Sequence, residues 1–154
     1  MKWFLTALCC MTLSLSAVAD DQKLCPVMPE LEVDIEESVT YKGKDIFMCC
    51  ASCVRAWELN PDYYAVAAMS IESEKPLLPQ LDGVELPEIE LLKQRYCPIN
   101  RTPAIVCPES PTVEYQGKKI YFFKESNIRR WNRDPEGSFK KAREAGLLPQ
   151  FDED

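Results

Sequence analysis

The sequence predicts an α+β fold made of two small units, each a β-hairpin followed by two short helices. Three observations lead to this prediction: a segment of about 60 residues occurs twice, each copy has a glycine turn inside a strand-like segment, and each copy then has two helical segments separated by Asn-Pro or Asp-Pro. The 154 residues, 46% of them hydrophobic and 28% charged, suffice for one compact domain or two very small ones.

The repeat is visible as short matches that keep their order along the chain. Residues 23–27 match 95–99, and residues 39–47 match 113–121. Further matches occur around the tryptophans, at the Asn-Pro and Asp-Pro pairs, and between two Leu-Leu-Pro-Gln segments. Chance does not readily produce so many identities in one order.

These matches divide the chain into two copies and a linker. Copy one covers residues 22–82 and copy two covers residues 95–154, and residues 83–94 join them. Pro87 lies where a proline often starts a helix, so we predict a short helix over residues 88–93 in the linker.

Each copy begins with a hairpin and a first helix. Gly43 and Gly117 permit a positive φ angle and therefore mark the hairpin turns. The helix that follows contains Trp57 in copy one and Trp131 in copy two. Both tryptophans, at matched positions, are expected in the core.

A second helix follows in each copy. Asn60 and Asp134 precede prolines, which push them out of the α region, so the first helix should end there. The same two residues are expected to cap the second helix, with Pro61 or Pro135 as its first residue. Gly146 is expected to end the last helix.

Residues 1–19 have the features of a secretory signal peptide. Lys2 gives a positive start, residues 3–15 are almost entirely apolar, and residues 16–19 end in small side chains. Cleavage after Ala19 predicts an exported protein, periplasmic or secreted, with no membrane span in the mature chain. The alternative is an uncleaved membrane anchor, for which the apolar segment is short. An exported protein meets oxidising conditions, in which disulfides form.

Composition excludes several functions. The chain has a formal net charge of −7 and no long basic cluster, which argues against nucleic acid as a partner. It contains no histidine, which excludes Ser-His-Asp catalysis and every zinc site that uses histidine. No glycine-rich phosphate loop and no nucleophile elbow is present, so we expect no enzymatic activity.

The cysteines of copy one form the candidate site. Cys25 precedes the hairpin, while Cys49, Cys50 and Cys53 lie where the second strand enters the first helix. A hairpin can bring these two places together, and a helix N-terminus lowers thiol pKa values. Three converging thiolates without histidine suit a soft ion such as Cu(I) or Zn(II).

Copy one also resembles a known family. The segments CPVM at 25–28, YKGK at 41–44 and FMCCASC at 47–53, followed by Trp57 and by NPDYY at 60–64, are similar to the YHS domain and its TRASH relatives. These are small treble-clef-like modules implicated in heavy-metal binding and often met in copper handling. Pro29 departs from the family, which commonly has glycine there.

The resemblance implies a ligand set and a role. The family's ligands are an early cysteine and a pair separated by three residues, which correspond here to Cys25, Cys49 and Cys53, with Cys50 as an auxiliary thiol. The implied function is storage, delivery or sensing of a thiophilic ion, with copper favoured over zinc. A metal-transport protein or a metalloenzyme is the implied partner.

Copy two keeps the frame of the repeat but has lost the ligand pair. Phe123, Lys124 and Asn127 stand where copy one has cysteines, and Cys97 alone is retained. Copy two has gained Cys107, close to Cys97 in a proline-rich segment. We therefore predict a Cys97–Cys107 disulfide that stabilises the copy without a metal.

Alternatives remain open for copy one. Its four cysteines could form two structural disulfides in an interaction module that holds no metal. Cys50 and Cys53 form a C-x-x-C motif at a helix start, which is compatible with thiol–disulfide redox activity, although thioredoxin-like βαβ surroundings are missing. Met28 and Met48 could contribute thioether ligands, but packing is the more frequent role of methionine.

Overall fold

A computed structural model describes residues 22–152 and has the predicted α+β fold. Two separate antiparallel hairpins are each followed by two helices. The predicted signal peptide lies outside the described residues. The elements of copy one are β1 Asp34–Tyr41, β2 Lys44–Met48, α1 Ala51–Leu59 and α2 Pro61–Met69, with a 3-10 turn at Pro79–Leu81. Those of copy two are β3 Thr112–Tyr115, β4 Lys118–Tyr121, α3 Glu125–Trp131 and α4 Pro135–Glu144, with a 3-10 turn at Pro149–Phe151.

Both hairpins close through the same two-residue turn. Lys42 and Gly43 have φ angles of 48° and 74°, and Gln116 and Gly117 have φ angles of 49° and 74°. Two consecutive positive φ angles define the type I′ turn, whose twist matches that of the strands on either side. The predicted turns are therefore confirmed.

The first helix ends as predicted in copy one and earlier in copy two. α1 ends at Leu59, directly before Asn60. α3 ends at Trp131 rather than at Asp134, because the Asn132 N–H makes the last helical bond and the chain then turns before Asp134. Asn60 and Asp134 nevertheless have nearly the same extended φ angle, −159° and −155°.

The predicted caps of the second helix are confirmed in both copies. Asn60 Oδ1 accepts a hydrogen bond from the Tyr63 N–H at 2.9 Å, and Asp134 Oδ1 accepts one from the Gly137 N–H at 2.9 Å. Gly146 follows α4 with a φ angle of 67°, the left-handed conformation expected after a helix end.

The predicted linker helix over residues 88–93 is wrong, because this segment forms neither helix nor strand. Ile89, Leu91 and Leu92 pack against the core instead, and the Leu92 N–H donates to the Tyr63 hydroxyl at 3.0 Å. A tertiary contact with copy one thus satisfies the Leu92 N–H. No helix within residues 22–152 has the length and apolar character that crossing a membrane requires.

The aromatic core is built alike in the two copies. Tyr41 meets Trp57 edge to face, with ring centroids 5.6 Å apart and planes at 85°. Tyr115 meets Trp131 in the same way, at 5.8 Å and 87°. Both tryptophans are almost fully buried, as the repeat predicts.

A buried glutamine joins the first segment of each copy to its hairpin. The Gln22 amide donates to Phe47 O at 2.8 Å and accepts from the Phe47 N–H at 3.0 Å. Gln94 makes the same pair of bonds with Tyr121, at 2.7 and 3.0 Å. The two glutamines were not predicted as buried, since a glutamine shows no local pattern that distinguishes a buried side chain from an exposed one.

The two copies share one core. The Ile105 N–H of copy two donates to Val27 O of copy one at 2.8 Å, and the Tyr64 hydroxyl donates to Ile105 O at 3.4 Å. Buried apolar side chains from both copies form one contiguous cluster. Because each copy alone is too small for a secure core, this joint burial stabilises both.

The second helices differ in how they are covered. α2 contacts α1 of its own copy and the segment around Ile105 of copy two. Five of its residues are buried: Tyr63, Tyr64, Ala65, Ala67 and Ala68. In α4 only Ala142 is buried. The packing of the copies is therefore not symmetric, since copy two covers α2 and nothing in the described chain covers α4 in the same way.

We expect Gln94→Ala to lower the free energy of unfolding by on the order of 2 kcal/mol, because it leaves the partly buried N–H and C=O of Tyr121 without their partner. Urea denaturation followed by circular dichroism measures this. Glu114→Ala, an exposed change on β3, is the control and should alter stability by less than about 0.5 kcal/mol. Equal effects of the two changes would contradict a structural role for the glutamine.

Candidate metal centre

Three segments of copy one position the candidate ligands. Cys25 lies in the segment before β1, where its N–H donates to Leu31 O at 2.8 Å. Cys49 directly follows β2, and Cys53 lies in the first turn of α1, with its N–H donating to Cys50 O at 2.9 Å. The helix start and the hairpin end thus present their thiols towards Cys25.

The sulfur atoms of Cys25, Cys49 and Cys53 all lie within 4.8 Å of one another, and we call these residues the thiol cluster. Cys25 and Cys53 are fully buried, while Cys49 is partly exposed. The Cys49 and Cys53 sulfurs are 3.4 Å apart, well beyond the roughly 2.05 Å of a disulfide. Sulfurs around one ion, with metal–sulfur bonds of about 2.3 Å, lie roughly 3.5–4 Å apart. The thiol cluster therefore has the donors and spacing to hold a metal ion.

Cys50 lies at the rim of the thiol cluster. Its sulfur is 3.9 Å from that of Cys49 and 3.8 Å from that of Cys53, and the residue is partly exposed. It does not belong to the group whose sulfurs all lie within 4.8 Å. This placement agrees with an auxiliary thiol, close enough to contact an ion after a small movement.

Hydrogen bonding within the thiol cluster favours one thiolate. Cys49 and Cys53 donate to the Cys25 sulfur and lower the pKa of Cys25 to about 3, and the Met28 N–H, 3.4 Å away, acts in the same direction. Donation to Cys25, together with burial, raises the pKa values of Cys49 and Cys53 well above the ordinary value. A metal ion that takes all three sulfurs must displace the two remaining protons.

The methionines near the site belong to the core. Met48 is fully buried and Met28 is 9% exposed, and both lie in the apolar cluster shared by the two copies. This agrees with a packing role for both residues.

Copy two keeps the backbone of the site but, of its three thiols, only that of Cys97. The Cys97 N–H donates to Ala104 O at 2.8 Å, as Cys25 does to Leu31, and the Asn127 N–H donates to Lys124 O as Cys53 does to Cys50. Phe123 and Asn127 are buried where copy one has Cys49 and Cys53. Among residues 22–152, the thiol cluster is accordingly the group of cysteine or acidic side chains arranged to hold an ion.

The predicted Cys97–Cys107 disulfide is not formed in the structure, in which all six described cysteines are free thiols. The two side chains have different surroundings. Cys97 lies near the backbone of Phe123, whereas Cys107 lies beside Ser110, whose hydroxyl donates to its sulfur at 3.5 Å. Burial raises the pKa of each thiol.

Protein-family models, curated proteins and solved structures give no match to this chain. The resemblance of copy one to the YHS and TRASH modules stays a prediction that rests on the motifs given above. What the structure adds is the geometry of the thiol cluster, which holds independently of that resemblance.

We expect Cys97 and Cys107 to resist alkylation in the native protein, because burial shields both sulfurs and raises both pKa values. Cys50, partly exposed at the rim, should react first. Brief iodoacetamide treatment, followed by peptide mass mapping, measures the order of reaction. Early labelling of Cys107, or a Cys97–Cys107 link in non-reduced peptides, would contradict the described surroundings.

Proposed function

We propose that this chain is an exported, non-enzymatic protein that binds one thiophilic metal ion through the thiol cluster. The observation that carries the proposal is the convergence of three sulfurs, from positions 25, 49 and 53, within 4.8 Å of one another in a largely buried place. The chain has no histidine, so soft sulfur donors dominate the site. Export rests on the signal-like residues 1–19.

Copper(I) is the first candidate ion and zinc(II) the second. Thiolates are soft donors and favour both ions over magnesium or calcium. Structural zinc sites almost always have four protein ligands, whereas the thiol cluster supplies three and Cys50 lies 3.8–3.9 Å from two of them. Three sulfurs are sufficient for copper(I), and the resemblance to the YHS family favours copper as well.

The exposure of the cluster supports a role in holding and passing on the ion. Cys25 and Cys53 are buried, whereas Cys49 and Cys50 are partly exposed on one side. A donor from another protein can approach from that side and exchange ligands stepwise. Delivery to, or acceptance from, a metal-transport protein or a metalloenzyme is therefore the form of the function that we favour.

One observation favours a second candidate, a thiol–disulfide redox function. The Cys50 and Cys53 sulfurs are 3.8 Å apart at the start of α1, which is where a C-x-x-C motif gains reactivity. The burial of Cys53 and its contact with Cys49 argue for shared coordination instead. A third possibility, a module stapled by disulfides in copy one, has less support because all four sulfurs are free.

We expect the reduced protein to bind one Cu(I) or Zn(II) per chain, because one group of three thiols is present in residues 22–152. The double change Cys49→Ser with Cys53→Ser should abolish tight binding, since Cys25 alone leaves the ion largely to water. Cys50→Ser should reduce affinity much less. Anaerobic titration against a competing chelator gives stoichiometry and metal preference together.

The matched control for this experiment is Cys97→Ser with Cys107→Ser, which removes two thiols outside the cluster and should leave the stoichiometry unchanged. Two ions per chain would contradict the assignment, since it would implicate copy two. Loss of binding on Cys50→Ser alone, together with a reversible Cys50–Cys53 disulfide in the unchanged protein, would favour the redox candidate.

A further inference from the structure

One face of the repeat is covered in copy one and open in copy two. Counting from the matched tryptophans, Ala56 corresponds to Arg130 and Ala67 to Lys141. Both alanines are buried, whereas Arg130 and Lys141 are exposed. The same backbone face is thus apolar where it is covered and basic where it is open.

The cover of copy one is an extended segment of copy two. Ile105 lies against this face and donates its N–H to Val27 O at 2.8 Å, and it accepts from the Tyr64 hydroxyl at 3.4 Å. Farther along the same segment, Glu109 Oε2 accepts from the Asn60 side-chain amide at 3.1 Å. The segment around Ile105 therefore fits this face of the repeat through its backbone, whereas the contact of Glu109 depends on Asn60, which copy two replaces by Asp134.

The equivalent face of copy two contains a cavity of about 340 Å³, which we call the basic cavity. Arg101, Arg130 and Lys141 line it, and Asp134 is the one acidic residue in its wall. The Asp134 carboxylate already accepts the Gly137 N–H as the cap of α4. Arg130 donates to Ile99 O at 3.2 Å, the carbonyl that corresponds to Val27 O in copy one.

The charge of the basic cavity contrasts with that of the chain. The protein has 25 acidic and 18 basic residues, yet three cationic side chains and one acidic one line this cavity. Complementary charge steers association and selects partners. The residues that make copy one's face apolar are replaced here by residues that attract carboxylates.

We propose that the basic cavity binds an extended, acidic segment of a partner protein, in the way that the segment around Ile105 covers copy one. Arg101, Arg130 and Lys141 contact the carboxylates of the segment, and Ile99 and Ser138 form the floor beneath its backbone. This site lies in copy two and does not depend on metal binding in copy one.

The test measures binding of a fluorescein-labelled hexaglutamate peptide to the full chain by fluorescence anisotropy, with hexaglutamine as the neutral control. The variant Arg101→Ser with Lys141→Ser should weaken hexaglutamate binding by about tenfold. The matched control, Arg129→Ser with Lys140→Ser, removes two neighbouring exposed cations that do not line the cavity and should change affinity less than about twofold. Thermal unfolding of both variants verifies that the fold is retained.

Several outcomes would overturn the proposal. Equal loss in the two variants would show diffuse attraction by surface charge, and equal binding of hexaglutamine would show that carboxylates are not recognised. Absence of hexaglutamate binding at low ionic strength would also refute it. Displacement of the peptide by inorganic phosphate at the same concentration would show that the cavity takes free oxyanions rather than a peptide segment.

Discussion

Two hydrogen bonds between the buried Gln22 amide and the backbone of Phe47 hold the first segment of the chain against the hairpin. Cys25 lies three residues after Gln22, and Cys49 lies two residues after Phe47. The amide therefore sets the register between two segments that are far apart in sequence but must meet at the thiol cluster. Gln94 makes the same two bonds in copy two, where the cysteine pair is missing. The glutamine therefore supports the hairpin of each copy and not the thiol cluster alone.

Joint burial is the second constraint on the structure. α2 buries five of its nine residues, and it packs against Trp57 of α1 and bonds to Ile105 of copy two. In a head-to-tail contact, the face that is covered in one copy has no equivalent cover in the other copy. In copy two the corresponding helix is α4, which carries charged side chains and buries only Ala142. Within residues 22–152, copy two thus presents a polar helix face where copy one presents an apolar one.

Sequence reasoning succeeded where local chemistry decides the structure. Gly43 permits a turn of positive φ, and a hairpin can bring the segment of Cys25 to the strand–helix junction that carries Cys49 and Cys53. The predictions failed where tertiary contacts decide the structure. Residues 88–93 form neither helix nor strand; Leu92 bonds to Tyr63 and packs against the core instead, and no local signal reports that contact. Cys97 and Cys107 are close in sequence, but the fold directs their sulfurs into different surroundings.

The contiguous core has a thermodynamic consequence for ligand linkage. Any species that binds only the native state raises its stability, by about 2.7 kcal/mol when its concentration is about 100 times its dissociation constant. Because the buried side chains of the two copies form one cluster, unfolding either copy exposes apolar surface of the other. An ion bound by the thiols of copy one would therefore slow hydrogen exchange and proteolysis throughout copy two as well. Copy two, which lacks the metal-ligating cysteine pair, would thus become more resistant to degradation when the thiol cluster of copy one holds an ion.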